Sequence, residues 1–331
     1  MRRLTPCLLV ACLSLLLPAH VRAQEALRSW YELVSSNGYT GVVTNLQGAV
    51  VHHFRDHVFA TEEPRWDATG EEIWLEAGAG SGCFKPQAVQ SRDLLRDAYF
   101  GVRARGASTW LSDRPVDMDD AGYDGFAGRT ERDGGTGIVR MPQTLDDLGL
   151  RATTRVFAPW DLELPGFVMT LTVENTGGDA TGPVQVYALV NPNLGSGRPG
   201  PRSETPADFE TVRVEGGANL IEQGFAGVVY IASLDGATLA THSPADFHPP
   251  VRDNISGDLP APTETPYLGD GNAGAVQWDV ADIAPGSSVT VGVVVAFDPN
   301  PDFDEGHRDR IDAWIDGRSA TTILEHERAG W

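Results

Sequence analysis

The chain has 331 residues, of which 25 are basic and 46 acidic, for a net charge of −21 at pH 7, and 41% of it is hydrophobic. That surplus of acid opposes binding to nucleic acid and to anionic lipid headgroups and favours solubility, without bearing on fold. Length and apolar share together are enough for a large core.

Arg2 and Arg3 precede an apolar stretch from Leu4 to Leu17, and Val21-Arg22-Ala23 places small residues at minus three and minus one. This predicts a signal peptide over 1–23, cut after Ala23, and a secreted or periplasmic mature protein. Cleavage there removes Arg2, Arg3 and Arg22 and no acid, so the charge moves from −21 to −24. The alternative is lipoprotein processing at Cys12 in Leu9-Val10-Ala11-Cys12, which would leave the apolar Leu13 to Leu17 on the mature chain. Cys7 and Cys12 leave with the leader, so Cys83 stands alone and no intramolecular disulfide is expected. Beyond the leader the longest apolar run, Val289 to Phe297, is strand-sized and far short of the roughly 20 residues of a membrane span.

From Ser36 to Phe297 the chain reads as short alternating apolar runs cut by Gly, Pro, Asn and Asp. Predicted strands are Gly41 to Asn45, Ala49 to Phe59, Ile73 to Glu76, Tyr99 to Arg105, Ser108 to Leu111, Ile138 to Met141 and Leu150 to Ala158. They continue with Phe167 to Glu174, Val184 to Val190, Thr211 to Glu215, Ala218 to Gln223, Val228 to Ser233, Ala275 to Val280 and Ser288 to Phe297. The clearest pair lies in Pro165 to Asn193, where Val168, Thr170, Thr172 and Glu174 alternate with Met169, Leu171 and Val173. The Gly/Asp/Thr cluster after it predicts a long antiparallel hairpin. Fourteen runs exceed the seven strands of an immunoglobulin sandwich, so the fold class is all-β, one large two-sheet antiparallel sandwich over 24–300.

Irregular insertions fall at Asp113 to Gly137, Gly195 to Phe209 and Ser243 to Asp270, the kind of loop that carries function or is disordered. The end changes character into a helical tail over 301–331. Phe303, Ile311, Trp314 and Ile315 have helical spacing with Gly317 as a stop, and a second helix begins near Thr322.

Three groups of residues invite chemistry. Asp117, Asp119, Asp120 and Asp124 surround Gly122 and Gly125, and such carboxylates around a bend suit a hard cation, with calcium the natural choice outside a cell. Position 12 of that loop is Gly128 where an EF-hand has Glu, and the alternative is a solvated turn. The metal candidates are Asp117, Asp119 and Asp124; no other cofactor is expected. His52, His53 and His57 lie on an extended segment, where His53 and His57 would be about 13 Å apart, too far to share a metal. Among the aromatics Trp66, Trp74, Trp110, Trp160, Tyr123, Tyr267 and Trp278, most belong in a core, while Trp66 and Tyr123 have the most polar neighbours and are the candidates for stacking on a sugar ring. The motifs of zinc proteases, serine hydrolases and P-loop nucleotide binders do not occur.

Several segments, in order, resemble the amino-terminal β-domain of bacterial glucoamylases and glucodextranases of glycoside hydrolase family 15. They are Ser36 to Gly48 followed by His53-Phe54-Arg55-Asp56-His57, Leu150 to Thr176, Val186-Tyr187-Ala188-Leu189-Val190-Asn191-Pro192-Asn193-Leu194, Gly271 to Gln277 and Val289 to Phe297. The resemblance implies a super-sandwich of the galactose-mutarotase-like kind. In that family the catalytic acid and base belong to a helical barrel that follows the sandwich, so no catalytic residue carries over, and Ile323 to Trp331 resembles the helix that leads into such a barrel. The expected function is an exported, non-catalytic accessory or carbohydrate-binding domain, with an α-glucan and a separate catalytic domain or protein as partners. Two alternatives stand beside it. One is a free-standing epimerase, lyase or glycosidase that uses the concave sheet face and the histidines; the other is a structural envelope protein without a small ligand.

Overall fold

Side chains alternate across a strand, so each apolar run above has one row to bury and one to cover. In the computed structural model those rows meet between two sheets. The structure describes residues 33–37, 40–55, 94–125, 136–192, 194, 209–216, 218–224, 227–244, 255, 257–260, 267–270, 272–298 and 305–331. Strands are numbered in chain order. One sheet contains β1 (Leu33–Ser36), β2 (Thr40–Thr44), β3 (Val50–Arg55), β4 (Leu95–Ala104), β10 (Val184–Pro192), β16 (Asn272–Val280) and β14 (Leu239–Pro244) in that spatial order, with β5 (Ala107–Trp110) also on β4. The other runs β15 (Tyr267–Asp270), β11 (Phe209–Glu215), β12 (Asn219–Gly224), β13 (Gly227–Ser233), β17 (Ser288–Asp298), β9 (Gly166–Asn175), β8 (Leu150–Phe157), β7 (Val139–Leu145) and β6 (Gly122–Tyr123). All the pairings are antiparallel. This is the expected all-β super-sandwich.

The layer between the sheets is filled from both sides. Phe100 and Val102 of β4, Val186 and Ala188 of β10 and Trp278 of β16 meet Met169, Leu171 and Val173 of β9 and Val293 and Val295 of β17. Each Val, Leu, Met or Phe among them contributes about 1.5–3 kcal/mol by leaving water. His53 of β3 lies in this layer, edge-on to Phe167 at 4.9 Å, and burial lowers its pKa to about 3.

The predicted hairpin over Pro165 to Asn193 is corrected. β9 pairs with β8 and β17, whereas β10 pairs with β4 and β16, so the two strands lie in different sheets. Residues 176–183 between them cross from layer to layer, and the link from β16 to β17 crosses beside them. The stitch is Asn175. Its Nδ2 donates to Asp179 O (2.9 Å) and Ile283 O (2.8 Å), and its Oδ1 accepts from Gly177 N (3.0 Å). The Asn-Thr-Gly step that looks like a hairpin turn is the start of an interlayer crossing. Both strands bury nearly every residue, which suits central positions in two sheets.

Thirteen of the fourteen predicted strands fall on observed ones; Ile73 to Glu76 lies outside the described residues. Helices α1 (Glu305–Ile315) and α2 (Ala320–Gly330) form the tail. Gly317 stands at φ +68°, a conformation glycine adopts freely, and separates them as expected. Ser319 caps α2 by accepting from Thr322 N, and Thr322 Oγ1 returns the bond by accepting from Ser319 N. Residues 320, 323, 324 and 327 form the buried stripe of α2, and Ala320, Ile323 and Leu324 pack with Ile311 onto Phe157, Val168 and Val294 on the outer face of the nine-stranded sheet. Gly292 admits this approach, since a Cβ there would stand 3.1 Å from that of Ala320 and 2.9 Å from Met169 O.

Candidate functional site

Three large apolar side chains remain exposed among the described residues: Val34 (48%), Trp160 (48%) and Trp331 (59%). The two tryptophans converge on one residue. Trp160 follows β8 in the turn Ala158-Pro159-Trp160-Asp161, and its backbone N donates to Glu327 Oε2 (3.2 Å). Trp331 follows α2, and its indole Nε1 donates to Glu327 Oε1 (2.9 Å). Glu327 itself is 1% exposed. Burial raises its pKa against the lowering effect of those two donors, with Asp161 adding to the rise and His326 opposing it.

The rings rest on backbone. Trp160 lies along α2, stacked on the His326 ring at 5.2 Å and 27° and close against Gly330 one turn later, where a Cβ would stand 2.1 Å from its Nε1. Trp331 lies over Gly137, whose added Cβ would stand 2.5 Å from the indole. His326 Nε2 is 2.9 Å from Asp161 Oδ2, which also accepts from Arg318 Nη1 (3.3 Å). Below this rim, Asp124 (4% exposed) accepts from Arg155 Nε (3.1 Å) on β8 and from Arg328 Nε (3.0 Å) on α2, locking helix to sheet. Val34 is close by in the fold. Its N and O both bond the Tyr123 hydroxyl, while Ser35 Oγ of the same strand accepts from Ala158 N.

The outer face of the eight-stranded sheet carries a second arrangement. Strand register places Arg103, Gln185 and Asp279 in one row and Trp110, Gly101, Tyr187 and Gln277 in the next. Trp110 lies flat on Gly101, edge-on to Tyr99 at 5.3 Å. Gln185 and Gln277 each direct an amide NH2 to both Asp258 and Asp279; the two bonds to Asp279 are 2.9 Å each. The Tyr187 hydroxyl is 2.8 Å from Gly257 O, and Leu259 N donates to Gln277 Oε1 (2.7 Å). Asp279 is pushed up by burial and more than returned below the ordinary carboxylate range by bonds from Gln185, Gln277 and Thr238, while burial lifts the Tyr187 phenol to about 12. Residues 257–259 are thereby strapped over the sheet, and Ile255 and Leu259 join Tyr99, Trp110 and Tyr187 in one buried cluster.

The structure distributes the predicted site residues differently. Trp66, Trp74, His57 and Cys83 lie outside the described residues, as does the predicted leader over 1–23. Tyr123 is buried in the interlayer core rather than presented to a ligand, its hydroxyl donating to Val34 O at 2.9 Å. Asp117, Asp119 and Asp124 do not assemble as a ligand set. Asp117 accepts from Thr144 Oγ1 (2.8 Å), Asp119 is exposed, and Asp124 is held by its two arginines. Among the described residues no group of three His, Cys, Asp or Glu is placed to hold a metal. Neither Trp331 nor Trp160 is among the ligand candidates expected above, where Trp160 stands with aromatics of which most belong in a core. The usable signal was Trp160 directly after a proline in a turn between strands, outside any alternating run.

No protein-family model matches the chain, and no curated protein matches it in sequence. Among solved structures, a bacterial glucoamylase complexed with acarbose is similar with a TM-score of 0.54 at 9% identity, over 92% of this chain and 37% of the enzyme. A family GH92 inverting mannosidase, BT2199 from Bacteroides thetaiotaomicron VPI-5482, is similar with a TM-score of 0.41 at 10% identity, over 91% of this chain and 32% of that one. The chain therefore spans little more than a third of the glucoamylase it is similar to. What the likeness shows is the fold: a large two-sheet antiparallel sandwich, similar to a part of that glucoamylase.

Proposed function

We propose that this chain is an exported, non-catalytic carbohydrate-binding or accessory sandwich of the glucoamylase type, acting beside hydrolytic machinery carried elsewhere. The observation that carries the reading is the glucoamylase likeness, which runs over nearly the whole of this chain and little more than a third of the enzyme. It is supported by how five of the described acids are used. Asp124 and Asp161 are tied to arginines, Glu327 to two tryptophans, and Asp258 and Asp279 to two glutamines. Glycoside hydrolysis asks instead for two carboxyl groups facing each other across a bound sugar. His53, one of the histidines behind the enzymatic alternative, is sealed in the core.

The partner is an α-glucan, and export by cleavage after Ala23 places the protein where such polymers occur. Isothermal titration with α-glucan oligosaccharides is the test. Saturable binding without sugar release supports the proposal; flat titrations at millimolar sugar, or sustained turnover of a glycoside, would overturn it. Amino-terminal sequencing of the exported protein should begin at Gln24.

A further inference from the structure

We infer that the Trp160–Trp331 flank is the carbohydrate site itself and that its ligand is an uncharged glycan; the inference rests on the carbohydrate-binding reading above. Glu327 organises the flank. Taking a carboxylate out of water is costly unless it gains bonds in return. Here the gain is two donors, the backbone N of Trp160 and the indole N–H of Trp331, so the buried charge fixes the Trp331 ring and the turn that carries Trp160. Glycines at 330 and 137 let both indoles settle against backbone, and His326 supports the first ring from below.

Rigid aromatic surfaces lose little freedom on binding, and an indole offers an apolar face beside polar groups. The rim has those groups. Asp161, Arg318 and His326 alternate donors and acceptors next to Trp160, a pattern that suits the hydroxyls of a pyranose. Charge narrows the ligand further. With a net charge of −21, moving to −24 on cleavage after Ala23, the protein repels uronic-acid polymers and sulfated glycans, whereas a neutral chain meets no such barrier.

The experiment titrates the full chain with maltoheptaose as a neutral probe and with oligogalacturonate as an anionic one. The wild-type protein should bind maltoheptaose and not oligogalacturonate. Trp160→Ala and Trp331→Ala should each weaken binding by about tenfold while keeping the wild-type melting temperature to within a few degrees. Should either variant fold poorly, oxidation of the wild-type protein by N-bromosuccinimide is read by mass spectrometry, and maltoheptaose should protect Trp160 and Trp331. If maltoheptaose binds but neither variant weakens it and neither ring is protected, the site assignment fails and the carbohydrate reading survives. Absence of maltoheptaose binding by the wild type sinks both. Self-association that disappears in the two variants, without glycan binding, would mark the flank as a protein interface instead.

Discussion

Glu327 and His53 are both fully enclosed, and they show opposite ways of placing an ionisable group. Glu327 is surrounded by donors, so its replacement by Gln leaves one oxygen for two N–H groups and turns an amide N–H toward one of them. Glu327→Gln should lower stability by about 1–3 kcal/mol in urea unfolding and loosen the Trp331 ring. His53 is neutral in the fold because burial lowers its pKa to about 3, while the unfolded chain titrates it near 6.5. Its contribution is present above pH 6.5 and is lost progressively as pH falls toward 3, at about 1.4 kcal/mol per pH unit. Between pH 7 and pH 4.5, His53→Leu should lose about 2–3 kcal/mol less stability than the wild type, as read from denaturant midpoints. An equal loss in both proteins would contradict this.

At the scale of elements, α2 is held by a buried stripe, by Glu327 and by the buried Asp124, which joins Arg328 to Arg155. Asp124→Asn leaves Arg155, whose side chain is only 15% exposed, without its counter-charge, and should cost about 3 kcal/mol and free the helix for hydrogen exchange. Strand existence was legible in the sequence because period-two patterning survives wherever a strand has a core-facing row. It missed β1, β6, β14 and β15, of two to six residues. Partner choice was not legible. Nothing local in the Asn175-Thr176-Gly177 step distinguishes a tight turn from the start of a crossing, because the deciding contact, Asn175 Nδ2 to Ile283 O, joins residues 108 apart. Asn175→Ala should therefore cost about 1–3 kcal/mol, where a plain hairpin turn would tolerate the change.

For the whole molecule, composition and strand count pointed to a large sandwich, and the fold agrees. The flank was hidden because Trp160 and Trp331 meet only after β8 and α2 dock, through a glutamate belonging to the helix. The acidic loop misled for a related reason: its one well-buried acid, Asp124, finds arginines from two other elements instead of a cation. The paired crossings at one end of the sandwich bear on how it denatures. Central strands of both layers pass through the same knot of bonds around Asn175 and Thr181, which accepts from Ile283 N. Neither layer can peel away while the other stays intact, so calorimetry should record a single endotherm. Refolding should be slow, because that end closes only when strands more than a hundred residues apart have already found each other.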